Sequence, residues 1–251
     1  MKALGVILHF WLIDDLYSEP YGRAYLNNLT GTPQYVSWLT RKLRPHLGDT
    51  VLEIGAGIGT LTGRLMGRRL CYVAADVDPL YLHALRNRFL RTPNVEVRRL
   101  DPACAEDYEN AGGPFDTVLC VNVLEYADDA ARVLALAGSA LKPGGSLIVL
   151  VPQGHALFGT IDKTLGHQRR FQAKELRGLL EQQGYRVRST SELNKVGSAA
   201  WWISSRILRR QYISKLTLKI FDKTVWITRR LDGLLPWRGL SLIAVAEKAG
   251  S

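Results

Sequence analysis

Cysteine is scarce in this 251-residue chain: Cys71, Cys104 and Cys120 are the only three. An odd number rules out a closed disulfide framework, and no two stand at the Cys-x-x-Cys spacing that suits a metal. We read them as free thiols in a reducing compartment. Long apolar runs are missing too, and none approaches the ~20 residues that a bilayer-crossing helix needs. Lys2 and the apolar stretch 3–13 faintly resemble a secretory leader. His9 interrupts that stretch, Asp14 and Asp15 end it, and no small-residue cleavage pattern follows. The chain is therefore expected in the cytoplasm. Internal repeats and Gly/Ser linkers are absent as well. With 47% apolar and 22% charged residues, the composition excludes a disordered tail or a low-complexity fibre and allows a sizeable core.

What the chain has in excess is positive charge, and that charge is concentrated. The whole sequence carries a formal +10, but residues 1–194 hold 22 basic and 20 acidic side chains. Residues 195–238 hold ten basic side chains against Asp222 and Asp232 alone. A near-neutral body therefore bears one basic segment.

Between residues 33 and 151, apolar runs at 51–54, 71–75, 95–99, 116–121 and 146–151 read as strands. They alternate with stretches of helical periodicity at 60–69, 80–90 and 128–141. Such alternation predicts βαβ units and a mostly parallel sheet. Lys142-Pro143-Gly144-Gly145 is expected to stop the third helix and turn into the next strand. A helix over 173–183, a strand over 185–189 and a last strand over 242–245 complete the α/β pattern, with the basic segment between the final two. The expected organisation is an arm or helix over 1–32, a core over 33–190, a helical insertion over 191–240 and a closing strand over 241–251.

The sharpest signal is Val51-Leu52-Glu53-Ile54-Gly55-Ala56-Gly57-Ile58-Gly59-Thr60. Glycines after a strand allow a tight turn and close approach of a ligand to the backbone. The spacing is Gly-x-Gly-x-Gly, with Thr60 where the third glycine of a dinucleotide loop would fall. Glu53 would also set a negative charge near any pyrophosphate. Both features disfavour a phosphate-bearing ligand and suit a cationic one. Asp76 ends the next strand, about where a ribose diol would bind in a doubly wound sheet, and Asp101 ends the strand after it. Asp78 reads as a helix cap. Together these residues point to an adenosine-type site at the carboxyl edge of the sheet.

The ordered set of 51–60, Asp76, Asp101, Phe115-Asp116-Thr117-Val118 and Leu141-Lys142-Pro143-Gly144-Gly145 resembles the class I S-adenosylmethionine-dependent methyltransferases. The resemblance covers roughly residues 33–151 and implies a Rossmann-like, seven-stranded, doubly wound α/β sheet. It implies S-adenosyl-L-methionine as donor, S-adenosyl-L-homocysteine as product, and no metal. By the same likeness Glu53, Gly55, Ala56 and Gly57 face the methionine part, and Asp76, with Val77 beside it, takes the ribose hydroxyls. Asp101 and Pro102 lie near the adenine amine, and Asn122 belongs to the 121–124 turn lining the site. A nucleotide-dependent oxidoreductase, and a non-catalytic binding module on the same fold, remain the competing readings.

For the acceptor, the fourth strand end reads Val121-Asn122-Val123-Leu124-Glu125-Tyr126. It lacks the Asn/Asp-Pro-Pro-aromatic turn of enzymes that methylate nucleobase amines. Many small-molecule members resemble this stretch with His where Tyr126 stands, so Tyr126 is a candidate for a base or for shaping the pocket. His167 is the leading candidate base and His155 the second, because histidine titrates near neutrality. The alternative is a lid loop in which His167 and Arg170 only fix local structure. Asp162 and Gly166-His167-Gln168-Arg169-Arg170 also resemble a bacterial subgroup found beside glycosyltransferases. That likeness implies acceptors such as glycans, lipid-linked sugars or secondary metabolites, and the expected reaction is methylation of a small-molecule, glycan or lipid-linked acceptor on O or N rather than C.

In the basic segment, Leu216, Ile220, Ile227 and Leu231 form an apolar stripe at helical spacing. We expect two amphipathic helices forming a lid packed by that stripe on the core. Contact with an anionic membrane surface, at the inner membrane face, is the second reading, and nucleic acid the third.

Overall fold

The structure, a computed structural model, describes residues 31–249. The arm expected over 1–32 lies almost wholly outside the described residues. In chain order the elements begin with α1 (Pro33–Leu43), β1 (Thr50–Ile54), α2 (Thr62–Leu65), β2 (Cys71–Asp76) and α3 (Pro79–Phe89). They continue with β3 (Val95–Arg99), α4 (Ala105–Asn110), β4 (Phe115–Val121), α5 (Ala130–Ser139) and β5 (Leu141–Pro152). The C-terminal part holds α6 (Thr160–Leu165), α7 (Ala173–Gln182), β6 (Tyr185–Leu193), α8 (Lys195–Trp202), α9 (Lys215–Leu231) and β7 (Ser241–Lys248).

The seven strands form one sheet in the order β3-β2-β1-β4-β5-β7-β6. The neighbouring pairs among β1 to β5 are parallel, and β7 runs antiparallel to both β5 and β6. Helices cover both faces, so the central strands are apolar on both sides. Leu52, Ile54, Val118 and Leu147 pack on one face with Leu134 of α5. Val51, Leu119 and Ile148 pack on the other with Trp38 and Leu43 of α1. The chain runs outward from β1 to β3 and then returns to β4 on the other side of β1. That reversal opens a crevice at the carboxyl ends of β1 and β4.

Local sequence explains most of these boundaries. Asp78 caps α3 by accepting the Leu80 amide at 2.8 Å, and Pro79 follows at the first helical position. Asp129 caps α5 in the same way. Two expectations need correction. The helix expected over 60–69 shrinks to α2, because Gly63 and Gly67 dilute its propensity. Residues 142–145 lie inside β5 rather than before it, as a bend where Gly144 takes φ +71°.

The third correction concerns the basic segment, which lies between β6 and β7. Leu216, Ile220, Ile227 and Leu231 do not pack on the core; they are 68%, 56%, 39% and 40% exposed. The opposite face of α9 is the packed one, through Phe221, Asp222, Val225 and Thr228. Asp222 Oδ1 accepts the amides of Gln34 and Tyr35, both at 2.9 Å. These first-turn amides of α1 have no acceptor within their own helix, and a buried carboxylate from α9 supplies one. The Phe221 ring lies 5.6 Å from that of Tyr35.

Candidate active site

The glycine turn at the end of β1 opens the site. Gly55 takes φ +74°, and a Cβ there would stand 2.6 Å from Val123, so only glycine fits. Gly59 takes φ +78° and lets Phe89 of α3 approach closely. The amides of Gly55 and Ala56 both donate to the Ala75 carbonyl at 2.9 Å, which ties the turn to β2. Asp76, the last residue of β2, accepts the Gly57 amide on Oδ2 at 2.8 Å and the Asp78 amide on Oδ1 at 3.0 Å. Burial raises the Asp76 carboxyl above its ordinary value, and these amides only partly offset it.

Glu53 is buried beneath the turn. Its Oε2 accepts the Thr62 hydroxyl at 2.6 Å and the Tyr72 hydroxyl at 2.9 Å. Burial pushes the Glu53 carboxyl up to about 7, with the hydroxyl donors opposing and the Asp76 charge adding to the rise. No cationic side chain is among the groups that set the proton affinity of Glu53 or Asp76. The pair forms an acidic floor without a counter-ion from the described residues.

Across the crevice the arrangement is different. Asp162, in the first turn of α6, is fully buried and saturated with donors. Its Oδ1 accepts Arg170 Nε at 2.7 Å and His167 Nδ1 at 3.0 Å. Its Oδ2 accepts the Gly159 amide at 3.0 Å and Trp201 Nε1 at 3.2 Å. Burial would raise this carboxyl, but the His167 hydrogen bond and the Arg170 charge hold it below its ordinary value. The Arg170 guanidinium is itself buried, stacks 4.8 Å from the Trp201 ring and donates to the Gln153 carbonyl at 3.0 Å. An ionised Asp162 only accepts, so the hydrogen between it and His167 resides on Nδ1. In the neutral form of the ring Nε2 is then the acceptor, and it has no hydrogen-bond partner among the described residues.

A single cleft of about 780 Å³ takes in both sides. Of the residues singled out from the sequence, Glu53, Gly55, Ala56, Asp76, Val77, Asp101, Pro102 and Asn122 line it, as do Tyr126 and His167. Asn122 adopts φ +52° where the chain leaves β4. Tyr126 stands edge-on to His167, ring centroids 5.1 Å apart. Gly57 contributes its amide to Asp76 without lining the cleft. His155 lies elsewhere: its Nε2 meets Glu175 at 2.9 Å on an exposed surface. The helical cap of α7 draws it there, because Glu175 also accepts the Gln172 amide.

Arg170 and Glu125 line the cleft and Asp162 lies buried behind His167, and none of these three was singled out from the sequence as a site residue. Asp162 and Arg170 carry the His167 arrangement, and the signal available was their spacing of five before and three after that histidine. The third, Glu125, is buried with both carboxylate oxygens lacking a hydrogen-bond partner. Burial pushes it up to about 8, with Arg170 opposing that rise. Among the described residues, no group of three or more His, Cys, Asp or Glu side chains is arranged to hold a metal ion.

Residues 52–147 match the methyltransferase domain family. The chain is 25% identical over 133 residues to a ubiquinone biosynthesis O-methyltransferase of Acinetobacter baumannii, covering 52% of each chain. It is 30% identical over 159 residues to the methyltransferase calH of Penicillium decumbens, covering 59% of this chain and 40% of that one. The chain thus spans about half the length of the curated relatives it matches, or less. Among solved structures, the trans-methyltransferase CalH in complex with SAH superposes with a TM-score of 0.53 at 21% identity, covering 85% of this chain and 54% of that one.

Proposed function

We propose that the chain is a class I S-adenosylmethionine-dependent methyltransferase that methylates an oxygen or nitrogen of a small-molecule, glycan or lipid-linked acceptor, a reading supported by the methyltransferase-domain match and the methyltransferase relatives. The observation that carries this reading is the His167–Asp162 pair facing the same cleft as the Glu53–Asp76 floor. The floor fits the donor: two buried carboxylates without a cation suit a ligand that is positively charged and bears no phosphate. Glu53 and the glycine turn would hold the methionine part, Asp76 the ribose hydroxyls, and Asp101 and Pro102 the adenine end. Bound there, the donor supplies a methyl group activated by its sulfonium.

The rest of the chemistry falls to the chain. Nε2 of His167 takes the proton from the acceptor hydroxyl or amine as its lone pair is committed to the new bond. Asp162 keeps hold of the Nδ1 proton, fixing the ring and stabilising the imidazolium that results. Arg170 and Trp201 immobilise Asp162 in turn, so the base is oriented before the acceptor arrives. Tyr126, Leu165 and Trp201 wall the cleft around the base and exclude water.

Calorimetric titration tests the donor assignment. S-adenosylhomocysteine is expected to bind and NAD(P) is not; binding of NAD(P) alone would replace this reading with the oxidoreductase one. A screen of phenolic, amine and glycan acceptors with labelled donor then identifies the acceptor class.

A further inference from the structure

The exposed side of α9 matches neither a buried lid face nor an ordinary solvated one. Twelve of the seventeen large apolar side chains exposed among the described residues fall within 195–238. On α9 they form the stripe of Leu216, Ile220, Ile227 and Leu231, displayed outward while the opposite face holds the core. Beside that stripe runs a second one, Lys215, Lys219 and Lys223 at four-residue steps, continued by Trp226 and Arg230. The Arg230 guanidinium lies 5.8 Å from the Trp226 ring. Both acids of the segment are turned inward and used: Asp222 on the amides of α1, and Asp232 on the amides of Asn194 and Lys195. Nine of its ten basic residues are exposed. Of these only Arg238 meets an acid, Glu192 at 2.7 Å, among the described residues.

We propose that this outer face of α9 docks the protein on an anionic lipid bilayer, with the apolar stripe entering the headgroup boundary and the lysine stripe pairing with lipid phosphates. A helix with adjoining apolar and cationic faces and an exposed Trp has the chemistry of an interfacial helix. A second copy of the chain fits the face poorly, since self-pairing would bring the lysine stripes together. Nucleic acid would use the lysines but leave the apolar stripe in water. The inner face of α9 packs on α1, whose Tyr35, Val36 and Leu39 line the cleft, so docking would set the cleft one helix away from the membrane. The inference does not depend on which acceptor is methylated.

The experiment is flotation of the full chain with vesicles of phosphatidylcholine alone or with phosphatidylglycerol, at low and high salt. Binding is expected to the phosphatidylglycerol vesicles at low salt, to weaken as salt screens it, and to be lost without anionic lipid. The variant carrying Lys215→Glu, Lys219→Glu and Lys223→Glu should bind on the order of a hundredfold more weakly. A Leu216→Ser, Ile227→Ser variant should also bind weakly while melting at the parent temperature, because both side chains are exposed. No flotation with anionic vesicles at low salt, or flotation unaffected by either variant, overturns the proposal. So does a dimer in size-exclusion chromatography that the serine variant dissociates, or RNA binding without vesicle binding that the glutamate variant abolishes.

Discussion

The two walls of the cleft both rest on buried carboxylates, yet they handle the charge in opposite ways. On the β1–β2 side, Glu53 and Asp76 are met, among the described residues, by hydroxyls and amides only, and burial raises both above their ordinary values. On the α6 side, Asp162 is met by Arg170 and His167, which outweigh burial and hold it low. One wall supplies its own counter-ion and is complete as folded. The other meets no cation among the described residues, which suits a cationic ligand. On the function proposed above, preorganisation on one side would hold the base and electrostatic incompleteness on the other would attract the donor.

Breaking each wall separately should have effects of different kinds. The largest is expected at the base: His167→Ala should lower kcat by roughly 10²–10⁴-fold once an acceptor is known. His155→Ala, exposed and outside the cleft, should leave kcat unchanged, and steady-state kinetics of the pair checks both. Full turnover by His167→Ala would remove it as the base. Next, Asp162→Asn removes the buried carboxylate charge that Arg170 Nε meets at 2.7 Å and should cost about 3–5 kcal/mol of stability in denaturant unfolding. A loss below ~1 kcal/mol would show that Arg170 is not held by this ion pair.

On the donor wall, Asp76→Ala should weaken S-adenosylhomocysteine binding by more than about tenfold, or ~1.4 kcal/mol, read by calorimetry. Unchanged affinity would mean that the ribose does not sit on Asp76. The smallest effect is a pH trend. A carboxyl raised to about 7 in the folded chain, from an ordinary 4.5, contributes its stability fully below 4.5. That contribution is lost as pH climbs through 7. Glu53→Gln should therefore gain melting temperature relative to the parent between pH 6 and pH 8. Asp162 has the reverse sign: its lowered value stabilises the fold above its ordinary range and ceases to do so in acid. Parallel melts of Glu53→Gln and the parent that show no pH-dependent difference would refute the assignment of a raised Glu53.

Legibility in the sequence followed the same division. The donor wall is built from strand ends and one tight turn, features that a short window contains. Glu53, Gly55, Asp76 and Asp101 could be placed because each lies at or within two residues of a strand's end, and strand ends reach the sheet edge. Asp78 could be read as a cap because Pro79 follows it. The α6 wall was harder to read. The helix is six residues long between Gly159 and Gly166, too short to show a period. Asp162 and Arg170 look like surface charges until their burial is known, and Glu125 gives no local sign that it lacks a partner.

The sequence by itself determined the α/β alternation, the glycine turn with its acidic neighbours, and the segregation of positive charge into 195–238, because each is fixed by local pattern or by counting. Only the tertiary structure decided which histidine reaches the cleft. His155 and His167 differ by an acid brought near each: the cap of α7 holds one outside, and buried Asp162 holds the other inside. It also decided which face of α9 is buried. That helix has apolar residues on two sides, and periodicity cannot rank them. The first-turn amides of α1 could, because Asp222 turns inward to accept them and leaves Leu216, Ile220, Ile227 and Leu231 facing out.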